Sequence, residues 1–250
     1  MKSFTIGYPI HNKGHMVDEI INGLVNSIDQ DKHDVKYQFI FDGCTDNSLE
    51  VFKAESFRLR NVEYIETDNL FQLRTNNLLM KGIDTDFLII FQDDMVLIDK
   101  NFIDNILKIY DIYGDSLGVI GCRDGFDSAY SNMYGSKFSE SPNRRILKSG
   151  EYKERMMINI GPIVLTKETV EYMGYFDEIY DNGAYEEMEY SLKCYLNGFI
   201  NIVLGVDIIH SKFDHKNKNK VTHTDSSVLK DMYRLNHTIF RERWYNIAKI

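Results

Sequence analysis

Apolar positions in the first hundred residues follow two alternating rhythms. Ser3 to Tyr8, SFTIGY, reads as a short strand, and Met16, Ile20, Ile21, Leu24, Val25 and Ile28 then recur at helical spacing. Tyr37 to Phe41 is a second strand that stops at Asp42-Gly43. Asp46 or Asn47 is placed to cap a helix through Leu49, Val51 and Phe52. Asn61 to Ile65 reads as a third strand, Asn76 to Lys81 as part of a helix, and Phe87 to Phe91 as a buried fourth strand. Strand and helix in alternation predict an α/β fold with a doubly wound, mostly parallel sheet flanked by helices. Ligands of such sheets bind outside the carboxyl ends of the strands, so Pro9 to Asn12, Asp42 to Asp46 and Gln92 to Asp94 are expected on one rim.

The second half is less regular. Residues 121 to 155 are polar and rich in Gly, Ser, Asn and Tyr, which predicts a long surface excursion beside that rim. Order resumes with a strand over Met156 to Leu165 and a helix over Lys167 to Met173. A stronger helix is expected from Glu186 to Asn197, with Met188, Leu192, Tyr195 and Leu196 on one stripe and Gly198 as its stop. Phe199 to Ile209 reads as a strand, SKFDHKNKNK after it as a basic loop, and Ser227 to Ile247 as a C-terminal helix.

Composition narrows the class. With 250 residues, 43% of them hydrophobic, the chain can bury the core of one large domain. A net charge of -9 disfavours nucleic acid as a partner, because phosphate backbones are bound by basic faces. Cys44, Cys122 and Cys194 are odd in number and far apart, which fits reduced, buried thiols and a cytoplasmic location. The N-terminus carries no apolar signal core and no run is long enough to span a bilayer. Contact with a membrane is expected to be peripheral at most, through the basic and apolar C-terminal segment, whose default is packing on the domain.

One short stretch carries chemistry. In FQDDMVL, Asp93 and Asp94 stand side by side directly behind a buried strand. Two touching anions require a cation, a shared proton or open water. The alternative is a solvated strand-end turn.

Five segments in order carry a family resemblance: PIHN (9 to 12), FIFDGCTDNS (39 to 48), FLIIFQDDMVL (87 to 97), YFDE (175 to 178) and YEEMEYSLKCYLNGF (185 to 199). Together they resemble the family 2 glycosyltransferases of GT-A fold, whose signatures are a strand ending in PxYN, a VDDGSTD turn, a DxD strand end, GxFDE and EDxDLxxRxxxxGY. The chain departs from them at Phe41, Cys44, Gln92, Glu187 and Glu189.

The resemblance implies inverting transfer of a sugar from a nucleotide diphosphate donor, UDP-sugar before dTDP-sugar, to a hydroxyl of a glycan or glycolipid acceptor. It implies a catalytic domain over residues 1–225, with nucleotide binding in about 1–100 and the acceptor side in about 101–225, and a helical extension over 226–250. On the donor side it implies that Pro9 and Ile10 pack on the base and Asp42 accepts the uracil N3 hydrogen. Asn12 either touches ligand or caps the first helix, Arg74 and Asn77 occupy the nucleotide-side helix start, and Asp93 serves the ribose. Asp94 and His210 are the implied ligands of Mn²⁺ or Mg²⁺. Glu187 is the implied base, with Glu186 as the alternative. Two rivals stand beside it, a nucleotidyltransferase acting on sugar phosphates and a non-catalytic glycan-binding descendant.

Overall fold

A computed structural model describes residues 1–122, 125–126, 147–158, 161–180, 183–210 and 226–244, with backbone alone at 125–126, 210 and 226–230. The basic loop 211–220 and most of the excursion, 123–124 and 127–146, lie outside the described residues.

The first four strands, β1 (Ser3–Ile10), β2 (Asp34–Asp42), β3 (Val62–Thr67) and β4 (Phe87–Ile90), alternate with helices α1 (Gly14–Ser27), α2 (Ser48–Glu55) and α3 (Phe71–Lys81). β5 (Met95–Leu97), α4 (Phe102–Tyr113), β6 (Leu117–Gly121), β7 (Gly125–Phe126), β8 (Tyr152–Arg155), β9 (Met157–Ile158) and β10 (Ile163–Thr166) follow. A helix over Lys167–Met173, a helix over Glu186–Leu196, β11 (Ile200–Leu204), β12 (Ile208–His210) and a C-terminal helix over Ser226–Trp244 complete the order. Among the described residues the main sheet has eight strands in the order β3-β2-β1-β4-β10-β6-β11-β8. β3, β2, β1 and β4 run parallel, β10 runs antiparallel to both β4 and β6, β11 is parallel to β6, and β8 is an antiparallel edge. The expected doubly wound, mostly parallel α/β sheet is therefore present.

Strand β4 shows why an unbroken apolar run was needed. Side chains alternate across a sheet. Phe87 and Ile89 enter the core beneath α1, α2 and α4, with Phe4, Tyr8, Ile20, Phe52 and Ile106. Leu88 and Ile90 enter the opposite core, with Leu79, Leu165, Leu192 and Phe240. Burying each such side chain contributes about 1.5–3 kcal/mol. Under the rim, Tyr8 stacks on Phe91 at 4.9 Å and on Phe39 at 5.6 Å. Gly7 lets α3 lie close, since a Cβ there would stand 2.5 Å from Leu79 Cδ1. Cys122 and Cys194 are buried thiols.

Two expected strands are split. Phe199 to Ile209 divides into β11 and β12 at Gly205, whose N–H donates to Glu151 O at 2.7 Å and whose carbonyl accepts from Gly150 N at 3.0 Å. A Cβ on Gly205 would meet Lys148 O at 2.1 Å, so the crossing loop requires glycine. Met156 to Leu165 divides into β9 and β10, with Pro162, which has no N–H for a ladder, directly ahead of β10. β12 leaves the main sheet and pairs with β5, setting His210 opposite Met95. Helix α4, absent from the sequence reading, buries Phe102, Ile103, Ile106 and Ile109.

Candidate functional site

The carboxyl ends of β1, β2 and β4 enclose a small cavity of about 100 Å³ lined by Pro9, Ile10, Asp42, Gln72, Thr75, Phe91, Gln92, Asp93 and Asp94. The three rim segments expected from the sequence thus meet in space. His11 ties two of them together. Its backbone N–H donates to Asp93 Oδ2 at 3.2 Å, and its Nδ1 lies 2.6 Å from the Asp42 carbonyl. A carbonyl only accepts, so Nδ1 carries the proton and Nε2 accepts from Asn12 Nδ2 at 3.2 Å.

Asp42 is buried on the cavity wall and held by three donors. Thr67 Oγ1 and Leu70 N donate to Oδ1 at 2.8 and 2.5 Å, and Phe71 N donates to Oδ2 at 2.8 Å. Besides facing the cavity, the side chain thus satisfies backbone N–H groups at the start of α3, where amides lack helical partners. The Asp42-Gly43 turn is tight: Gly43 has φ +58°, and a Cβ there would meet Asn69 Cβ at 2.7 Å.

Asn12 organises the neighbouring loop. Its Oδ1 accepts from Thr45 N at 2.7 Å and Asp46 N at 3.2 Å. It does not cap α1; that task falls to Asp46, whose Oδ2 accepts from Gly14 N at 2.9 Å and whose Oδ1 accepts from Ser48 N at 3.0 Å. One carboxylate thus serves the starts of both α1 and α2, from the position before Asn47, the N-cap of α2, which makes no side-chain capping bond itself. Burial alone would push the Asp46 carboxyl up, but the bonds from Ser48 and Gly14 outweigh it and hold it below the ordinary carboxylate range.

Helix α3 places Arg74 and Asn77 outside the lining of the cavity. Arg74 and Asn77 share one face, as residues three apart do, but that face meets Phe176 to Glu178. Asn77 is buried; its Nδ2 donates to Phe176 O at 2.9 Å and Glu178 Oε1 at 3.1 Å, and its Oδ1 accepts from Phe176 N at 2.9 Å. Arg74 Nε stands 3.6 Å from Glu178 Oε2. Gln72 and Thr75, one face further round, line the cavity instead.

The acids of YEEMEY open the helix Glu186–Leu196. Glu186, Glu187 and Glu189 are all buried, with relative exposures of 1%, 4% and 1%. Burial, and then the charge of Glu187, pushes the Glu186 carboxyl well above the ordinary glutamate range, and burial raises Glu187 as well. Neither Glu186 oxygen has a hydrogen-bond partner among the described residues. A neutral Glu186 beside an ionisable Glu187 is the arrangement such a pair favours. Glu189 is spent on structure: its Oε1 accepts from Arg243 Nη1 at 2.8 Å and Trp244 Nε1 at 3.0 Å, and Lys193 Nζ lies 3.5 Å away, the expected i, i+4 pair.

The backbone before the pair is unusual. Gly183, Ala184 and Tyr185 have φ of +101°, +72° and +77° in succession. Two of them are not glycine, and each such residue costs on the order of 1–3 kcal/mol. A Cβ on Gly183 would stand 3.2 Å from Glu186 Oε1, so the bare glycine leaves space for that carboxyl.

Ile158 contacts the acid-rich helix, and Gly161 lies beside the cavity wall. Ile158 N donates to Ser191 Oγ at 2.9 Å, and Ser191 Oγ donates in turn to Glu187 O at 2.8 Å. A Cβ on Gly161 would lie 3.6 Å from Gln92 Cγ. Among the described residues no group of three or more His, Cys, Asp and Glu stands ready to hold a metal ion, and the His210 side chain lies outside them. Also among them, no helix is long and apolar enough to cross a membrane.

No protein-family model matches the chain, and neither does any curated protein. Solved structures do. The mannosyltransferase PcManGT from Pyrobaculum calidifontis, in complex with GDP-Man and Mn²⁺, matches with a TM-score of 0.59 and 11% identity, over 82% of this chain and 55% of that one. S. aureus TarS 1–349 with UDP-GlcNAc matches with a TM-score of 0.58 and 16% identity, over 81% of this chain and 56% of that one. GalNAc-T7 with UDP, GalNAc and Mn²⁺ matches with a TM-score of 0.66 and 13% identity, over 100% of this chain and 58% of that one. The chain has the GT-A glycosyltransferase fold and spans a little over half the length of these three structures.

Proposed function

We propose that the chain is a metal-dependent, inverting glycosyltransferase that moves a sugar from a nucleotide diphosphate donor, UDP-sugar before dTDP-sugar, to a hydroxyl of a glycan or glycolipid. The observation that carries this reading is the convergence of Pro9, Ile10, Asp42, Asp93 and Asp94 on one cavity of a GT-A sheet. Solved neighbours of the same fold hold UDP, UDP-GlcNAc or GDP-Man, two of them with Mn²⁺.

In this reading Pro9 and Ile10 form the apolar wall against the base, and Asp42, fixed by its three donors, accepts the pyrimidine N3 hydrogen. Asp93 is anchored by the His11 amide and faces the ribose. The donor set fits Mg²⁺ or Mn²⁺, because hard carboxylate oxygen suits either and one or two carboxylates suffice when diphosphate and water fill the other positions. Asp94 would hold the ion, with His210 joining from the strand paired to β5. Bound there, the ion would draw off the negative charge that develops on the leaving diphosphate. Glu187 takes the proton of the attacking hydroxyl, and its burial makes it a stronger base than an exposed glutamate. Glu186, neutral beside it, leaves that role to Glu187.

The test is calorimetry of UDP, dTDP and GDP with Mn²⁺ and with EDTA. Pyrimidine diphosphates are expected to bind only with the metal present and more tightly than GDP. Tighter binding of GDP than of both pyrimidine nucleotides removes the donor assignment, and equal binding in EDTA removes the metal. A nucleotidyltransferase would instead form a nucleoside triphosphate from UDP-sugar and pyrophosphate.

A further inference from the structure

The left-handed turn ahead of the acid pair is restrained from far along the chain. Ala184 and Tyr185 adopt a conformation that L residues avoid, and such backbone persists only where its surroundings hold it. Asn236, fully buried on the C-terminal helix, donates its Nδ2 to Gly183 O at 2.7 Å and to Ala184 O at 3.3 Å. An amide NH₂ has two hydrogens to give, which matches two successive carbonyls. The Tyr185 ring packs on Phe240 at 5.5 Å and on His237 at 5.6 Å, from the same helix. Two turns later Arg243 and Trp244 fasten this helix to Glu189. The Asn236 end of the helix therefore holds the backbone of the turn ahead of Glu187, while its far end is tied to the structural Glu189.

We infer that Asn236 is a positioning residue: by holding the carbonyls of Gly183 and Ala184 it fixes the turn from which Glu187 is presented to the acceptor. The inference rests on the reading of Glu187 as the base. Asn236 would act through the backbone of the turn, by way of the Gly183 and Ala184 carbonyls. A displacement of about 1 Å in a catalytic group is enough to cost on the order of 100-fold in rate.

The experiment compares Asn236→Ala and the nearly isosteric Asn236→Asp with Trp244→Phe, which loosens the same helix through Glu189 without touching the turn. Three quantities are read: hydrogen exchange of residues 183–190 in the donor-free protein, kcat against donor KM, and the pH profile of kcat. Both Asn236 variants are expected to exchange faster over 183–190 and to lose at least about 10-fold in kcat, with donor KM unchanged and a displaced acidic limb. Asn236→Asp carries the test should Asn236→Ala not fold. Trp244→Phe is expected to melt earlier with kcat preserved. Unchanged exchange in the Asn236 variants overturns the clamp whether or not the protein transfers sugar. Faster exchange with unchanged kcat, or an equal loss of kcat in Trp244→Phe, overturns the positioning role. A wild-type chain that transfers from no nucleotide sugar, its exchange showing the turn intact, overturns the catalytic reading and the positioning role with it.

Discussion

At the scale of single residues, the acid pair makes the sharpest prediction. Glu187→Gln keeps shape and burial but removes the base, so transfer should fall by about 10²–10⁴-fold while donor affinity holds. Glu186→Gln should turn over far better, since its amide resembles the neutral acid it replaces. If Glu186→Gln is the dead variant and Glu187→Gln is active, the base is Glu186. The same pair sets a pH dependence of stability. A carboxyl whose folded value is raised binds its proton more readily in the native state than in the unfolded chain. Stability from this source is full below the unfolded glutamate value, about 4.5, and is lost as pH rises through the raised folded values. Glu186→Gln should therefore gain stability on wild type as pH rises above that point. Urea melts of both proteins across the range check this, and parallel pH curves would exclude Glu186 as the source.

At the scale of elements, capping and phase decide what each helix does. Asp46 joins the starts of α1 and α2 through Gly14 and Ser48, so Asp46→Ala should destabilise the fold by about 1–2 kcal/mol. Its pH dependence has the opposite sign to that of Glu186. The folded value is depressed, so its contribution is present at neutral pH and is lost as pH falls through and below the ordinary aspartate range. Denaturant midpoints of Asp46→Ala and wild type should therefore converge in acid, and a constant gap would show that its charge is irrelevant. α3 shows the limit of spacing arguments. LRTNN signals a helix start, but which face meets the cavity depends on rotation, and one position of error exchanges Thr75 for Arg74.

At the scale of the whole molecule, the rim couples ligand to stability. A ligand that binds only the native state adds about 2.7 kcal/mol at 100 times its Kd, so UDP with Mn²⁺ should raise the melting temperature. Asp94→Ala should abolish the metal-dependent part of that rise, whereas Asp93→Ala should weaken nucleotide binding with less effect on the metal. A wild-type metal response in Asp94→Ala would make the acidic pair a solvated turn. The C-terminal helix also acts at this scale. Written as an extension in the sequence, it contributes Phe240 to the core on the Leu88 and Ile90 face of the sheet and closes the Glu189 cluster.

The sequence by itself determined the alternation of strands and helices, the order of the first four strands' rim segments, and the acid-rich start of the helix Glu186–Leu196. These are local, because a period of two or 3.6 residues and a capping acid are written in neighbouring positions. Only the tertiary structure decided that β10 enters the sheet antiparallel between β4 and β6, that Gly205 breaks a strand against the loop at Lys148, and that Asn77 hydrogen-bonds the backbone of Phe176. It alone brought Asn236 to Gly183, 53 residues away. Such pairings depend on which faces come together when the core closes, and a face gains its partner only when distant segments bury it from water.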